Sequence, residues 1–192
     1  MADSSLIRER ILAAAVETAT VHGIAKLSVG DVARRAGLSR QTLYRHFPSK
    51  DALVAEVVQT QAAELIGEVL AASEPHDDPR DALAAGMAAA LRLTRAHPLL
   101  DRLLSTEPEA LLPLLTTNGG PVLGQARLVV ESIMSAHLPD ADATQLRRLA
   151  DVVARLLVSY AVSAPDDPPD VIADFVATIL TQGATFIERT HT

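Results

Sequence analysis

Between Ser28 and Asp51 the chain reads SVGDVARRAGLSRQTLYRHFPSKD, and no other stretch restricts the fold as tightly. Ser28 and Ser39 each stand directly before a helix-forming run, where a hydroxyl accepts a hydrogen bond from a helical N–H that has no partner inside its own helix. Asp31, three residues after Ser28, has the spacing of the acidic partner in a capping box. Gly37 stops the first run, since a left-handed residue there turns the chain without a Cβ clash, and Pro48 stops the second. The result is two short helices around a sharp turn, a helix-turn-helix. Val32, Ala33 and Ala36 fall on one side of the first helix, above Leu38, while Leu43 and Phe47 share a stripe on the second.

That packing leaves Arg40, Gln41, Thr42, Tyr44, Arg45 and His46 on the remaining faces. Forked donors, an amide, a hydroxyl and a phenol on one short helix suit double-stranded DNA. Arg and Gln can read base edges bidentately, while Tyr, Thr and Lys more often hold the phosphate backbone. Lys50, a cation in the first turn of a helix opened by Ser49, opposes the helix dipole unless an anion sits nearby. The net charge of −7 is unevenly spread. Residues 1–50 hold eight Lys and Arg against four Asp and Glu, and the remaining 142 hold nine against twenty. Local potential, rather than the total, governs attraction to a polyanion.

The run Leu43, Tyr44, His46, Phe47 and Lys50 resembles the signature of the TetR family of bacterial transcriptional regulators, in which Leu-Tyr-x-His-Phe-x-x-Lys ends the recognition helix and enters the fourth helix. The resemblance covers about the first quarter of the chain. It implies phosphate contacts for Tyr44, His46 and Lys50, base or backbone contacts for Arg40, Gln41, Thr42 and Arg45, and a DNA-facing place for Ser28 and Ser39. Ala19 stands where the family often has an aromatic residue, and Gly30 where many members carry a polar side chain.

The remainder reads as helix, with no convincing period-two alternation, so the expected class is all-α with about nine to ten helices. A three-helix head, residues 1–50, precedes a helical body, residues 51–192. Helix one spans about Ser5 to His22, and one long amphipathic helix from Ser49 to about Ala72 leads from head to body. Asp78 and Pro79 open the next helix as cap and first residue. Pro98 restarts a short helix, Thr106 and Glu109 open another that Pro113 shortens or kinks, and eight leucines lie between Leu99 and Leu115. Such leucine density is compatible with a ligand cavity wall and equally with ordinary core. Met87, Leu91, Leu104, Gln125, Arg127 and Tyr160 are the pocket candidates, because a cavity needs a few polar groups among apolar walls. For Arg127 a surface salt bridge competes with that role.

The last two helices, about Asp142 to Ser163 and Pro168 to Arg189, carry apolar residues on more than one face, which suggests burial on two sides. The resemblance implies that they pair with those of a second subunit, and Leu149, Val153, Leu156, Phe175, Ile179 and Phe186 are the candidate homodimer contacts. Two heads then suit a near-palindromic operator. The implied function is a one-component repressor released by a small, largely apolar effector.

No His-x-x-x-His pair, Gly-x-Ser-x-Gly elbow or phosphate loop is present, so neither a catalytic residue, a metal site nor a cofactor is expected. His97 and His137 stand near helix ends, where satisfying terminal carbonyls is the expected role. The chain has no cysteine, no uninterrupted apolar run of membrane-spanning length and no signal-like start, which fits a cytoplasmic protein without a membrane partner. Two competing readings remain: a helical enzyme with a helix-turn-helix-like start, which requires a buried polar constellation, and a protein-interaction module, which has no need of the polar face from Arg40 to His46.

Overall fold

The computed structural model describes residues 2–98, 100–101 and 120–190. Among them are eight helices and no strand: α1 Ala2–His22, α2 Val29–Arg35, α3 Arg40–His46, α4 Lys50–Ser73, α5 Pro79–Ala96, α6 Gly120–His137, α7 Ala143–Val162 and α8 Pro169–Thr190. Pro98 opens a further turn, in which the Asp101 N–H donates to the His97 carbonyl. The helix expected at Thr106 to Leu115 and the candidate Leu104 lie outside the described residues. The chain divides into two compact units: residues up to Glu64 with His97 and the turn after it, and Leu65 to Ala96 with α6, α7 and α8.

In the first unit, α1 buries Ile11, Ala14, Ala15 and Ala19, α2 buries Val32 and Ala33, and α3 buries Leu43. Phe47, Leu53 and Val57 are enclosed with them. Each buried Leu, Ile, Val or Phe contributes about 1.5–3 kcal/mol, which offsets the ordering of such short helices. Turn chemistry does the rest. Gly37 takes φ +66°, and the N–H groups of Leu38 and Gly37 donate back to the Ala33 and Arg34 carbonyls at 2.8 and 3.1 Å, the Schellman pattern. Arg10 donates to the Ala36 carbonyl at 2.7 Å, tying the end of α2 to α1. His97 meets Gln61 Oε1 at 3.1 Å through Nε2, and its Nδ1 accepts from the Leu100 backbone N–H, so it caps the start of the turn after Pro98 instead of satisfying terminal carbonyls.

In the second unit, Leu83, Met87 and Leu91 of α5 pack with Val130 and Met134 of α6, Val153 of α7, and Ile172 and Val176 of α8. Gly86 lets α5 approach the end of α4 and α6, for a Cβ there would stand 2.7 Å from Ser73 Oγ and 3.0 Å from Ile133 Cδ1. Arg80 bonds Asp174 and Thr178, and Arg92 bonds Asp170, stapling α5 to α8. Asp78 accepts from the Arg80 and Asp81 N–H groups at 2.9 and 3.2 Å, and Asp142 caps α7 through Gln145. The His137 ring reaches the Ile133 carbonyl, as expected at a helix end, and also the His76 carbonyl, both at 2.7 Å. No helix among the described residues is long and apolar enough to cross a membrane.

Candidate nucleic-acid interface

Helix α3 is held from one side and open on the others. Leu43 is fully enclosed, and the Ser39 hydroxyl accepts from the Thr42 N–H at 3.0 Å while sharing a hydrogen bond with the Thr42 hydroxyl at 2.9 Å. The cap therefore also fixes two of the side chains expected at DNA. Outward from this frame stand Arg40, Gln41 and Arg45, all exposed, and Tyr44 at 48% exposure. A tyrosine ring left half in solvent beside an enclosed leucine marks a face built for contact rather than for the core.

The cations of the head fall into two groups. Arg8 pairs with Glu56 at 2.7 Å and lies 4.6 Å from the Phe47 ring centre, Arg35 pairs with Glu17 at 2.8 Å, and Arg34 pairs with Asp31. Arg10 is bonded to the Ala36 carbonyl. Arg40 and Arg45 have no ion pair or hydrogen bond among the described residues. So α1 and α2 consume their positive charge internally, and α3 keeps its own free.

Three expected features take another form. Ser28 occupies the cap position of α2, but its side chain accepts no cap hydrogen bond, and Asp31 turns to Arg34 instead of closing a capping box. Lys50 relieves its conflict with the α4 dipole without an anion, because Nζ donates to the Ala25 carbonyl at 2.9 Å and joins the start of α4 to the α1–α2 loop. His46 is half-buried, with Nε2 enclosed and without a hydrogen-bond partner, so this nitrogen does not face outward as a phosphate contact requires. Lys26 lies beside the carbonyl that Lys50 uses and is exposed, without a partner among the described residues. It belongs to no helical motif, so spacing gave no signal for it.

Among the described residues the pocket candidates do not gather around one cavity. Met87 and Leu91 are core, Tyr160 packs partly against that core, Gln125 is exposed, and Arg127 stands 3.9 Å from both Glu131 and Asp151 on the surface. The dimer candidates separate in a similar way. Val153 is fully enclosed by its own chain, and Leu149 and Leu156 pack against the same core. Phe175 and Ile179 are 64% and 52% exposed, in line with exposed Val171 on α8, and Val152 is the exposed apolar residue of α7 nearest to Val153. The Phe186 side chain lies outside the described residues.

Two family models match this chain: residues 11–57 match the bacterial regulatory proteins of the tetR family, and residues 78–182 match the C-terminal domain of the bacterial tetracyclin repressor. The HTH-type transcriptional regulator Rv1255c of Mycobacterium tuberculosis is 30% identical over 185 residues, covering 93% of this chain and 87% of that protein. The HTH-type transcriptional regulator AlkX of the same organism is 29% identical over 184 residues, covering 93% and 85%. Among solved structures, the repressor AlkX from Dietzia sp. strain DQ12-45-1b, implicated in biodegradation of n-alkanes, superposes with a TM-score of 0.67 at 27% identity, over 91% of this chain and 95% of that one.

Proposed function

The chain belongs to the TetR family of bacterial regulatory proteins, a helix-turn-helix transcriptional regulator and not an enzyme, and from that premise we propose that it represses transcription as a homodimer on a near-palindromic operator. The observation that carries the DNA-facing part is the pair of exposed guanidinium groups of Arg40 and Arg45, without a partner among the described residues, flanking Tyr44 on a helix anchored by Leu43. Unpaired cations on a rigid frame release counterions on meeting phosphates and lose no internal ion pair in doing so. Gln41 and Arg40 stand where a base edge would be read; Tyr44, Arg45 and the remaining Lys50 donors would hold the backbone.

Val171, Phe175 and Ile179 recur every four residues and form an uncovered apolar stripe on α8, which supports pairing with a second copy. Two copies would carry two α3 helices to successive major grooves. A small, largely apolar effector would release the operator by binding better to a dimer conformation that does not fit DNA. The role of the similar Dietzia repressor in n-alkane biodegradation supports an effector of that chemistry. A coupling of about 1–3 kcal/mol between the two ligands suffices for such release.

The test is fluorescence anisotropy of labelled duplex from the intergenic DNA flanking the gene. Nanomolar protein at moderate salt should prefer this duplex to random DNA of equal length. Equal binding to both would remove the regulator reading of this surface.

A further inference from the structure

Gly30, in the first turn of α2, lies against the guanidinium of Arg40, the first residue of α3. A Cβ built on Gly30 would stand 2.8 Å from both Cζ and Nε of Arg40, and nearer still to Nη2. The backbone there does not call for glycine, since Gly30, unlike Gly23 and Gly37, does not take a positive φ. Glycine inside a helix also weakens it relative to alanine. What glycine supplies at this position is room, and the group that fills the room is the one cationic head group at the start of the recognition helix.

We propose that Gly30 sets the DNA preference of this chain as a positioning residue for Arg40, by keeping open the place where that guanidinium lies. This rests on the DNA-binding reading above. Arg40 has no hydrogen bond or ion pair to any described residue, so contact with α2 is what restricts its arm. A free arginine samples many rotamers, and bidentate reading of a base edge uses one orientation of the fork. A side chain at position 30 would push the arm away from α2. Because the displaced atoms are the far end of a flexible side chain, the helix pair would stay intact and only the reading group would move.

Binding-site selection from a randomised duplex library, with full-length wild type, Gly30→Ala, Arg40→Ala and the double variant, tests this together with affinity for the wild-type motif and thermal unfolding. Gly30→Ala should unfold at an equal or higher temperature, bind the wild-type motif roughly tenfold more weakly, and change preference at the positions that Arg40→Ala changes. The double variant should match Arg40→Ala alone. An unchanged motif and affinity for Gly30→Ala overturns the proposal while leaving DNA binding in place, and so does a motif change that persists without Arg40. A lower unfolding temperature with an unchanged motif assigns Gly30 to packing alone and overturns it too. Failure of the wild type to enrich any sequence sinks the DNA-binding reading, and this proposal with it.

Discussion

In the head, Arg8, Arg10, Arg34, Arg35 and Lys50 each reach an acceptor within their own unit, whereas Arg40 and Arg45 reach none among the described residues. In the body the balance differs. Arg80, Arg92, Arg127 and Arg155 find carboxylates, Arg148 is exposed without a partner among the described residues, and an uncovered apolar stripe of Val171, Phe175 and Ile179 runs along α8. A surplus of unpaired guanidinium groups is stabilised by a polyanion, and a surplus of exposed aromatic and branched side chains by an apolar partner. The exposed cations of α3 and the exposed stripe of α8 each indicate the chemistry of a partner, and the two can be broken separately.

The largest effect should come from Leu43→Ala. This side chain is fully enclosed and fixes α3 to the head, so its loss should cost about 2–5 kcal/mol of head stability and abolish binding to every DNA sequence. Chemical denaturation followed by anisotropy would show this, and the association of the bodies should survive. Native-like DNA affinity in this variant would mean that α3 is not the reading element.

Next in size is the body's counterpart, Phe175→Glu with Ile179→Glu. Both side chains are mostly exposed within the chain, so helical content should hold while sedimentation shifts to the monomer. Loss of simultaneous engagement of two half-sites should weaken operator binding about a hundredfold, with little change for a single half-site. A variant that stays dimeric would place the subunit contact elsewhere.

These two experiments also mark what could be read without coordinates. The frame of α3 is a short-range matter: the Ser39 cap, the Gly37 turn and the Leu43–Phe47 spacing are each decided within a few residues, and each stands as expected. Contacts across many residues were not legible, which is why Lys50 reaching Ala25, twenty-five positions away, came only with the structure; Asp31 had two local partners three residues off, the cap and Arg34, and spacing did not choose between them. The last helices show a second reason. Phe175 and Val176 are neighbours with similar hydrophobicity, yet one is exposed and one is core. A helix that is apolar on two faces does not say which face its own chain will cover. Polar residues among apolar ones were ambiguous in the same way: Gln125 and Arg127 look unusual beside their apolar neighbours in the sequence, and both are exposed on α6.

A smaller effect sharpens the contrast within the head itself. Arg45→Ala removes a charge with no partner among the described residues, so thermal stability should be unchanged within error while operator affinity falls roughly tenfold. If the contact is to phosphate, the loss should be equal across sequences and the slope of log affinity against log salt should shrink by about 1. Arg35→Ala, which breaks the pair with Glu17, should do the opposite: a small loss of stability with little effect on the salt slope.

The smallest effect belongs to the body's charge network. The Arg155 hydrogen bond to Asp151, at 2.8 Å, draws the Asp151 carboxyl below its usual value of 3.8. Partial burial opposes this, and the charges of Arg155 and Arg127 add to it. Because folding lowers the proton affinity of Asp151, its contribution to stability is present above the usual carboxylate value and is lost as pH falls through the lower, folded-state value. Asp151→Asn should therefore unfold slightly below the wild type at neutral pH, and the gap should close under acid conditions below 3.8. Differential scanning calorimetry across that range checks it. A gap that persists into acid would show that Asp151 acts through shape or hydrogen bonding rather than charge, and would separate this pair from the charge-driven contacts proposed for α3.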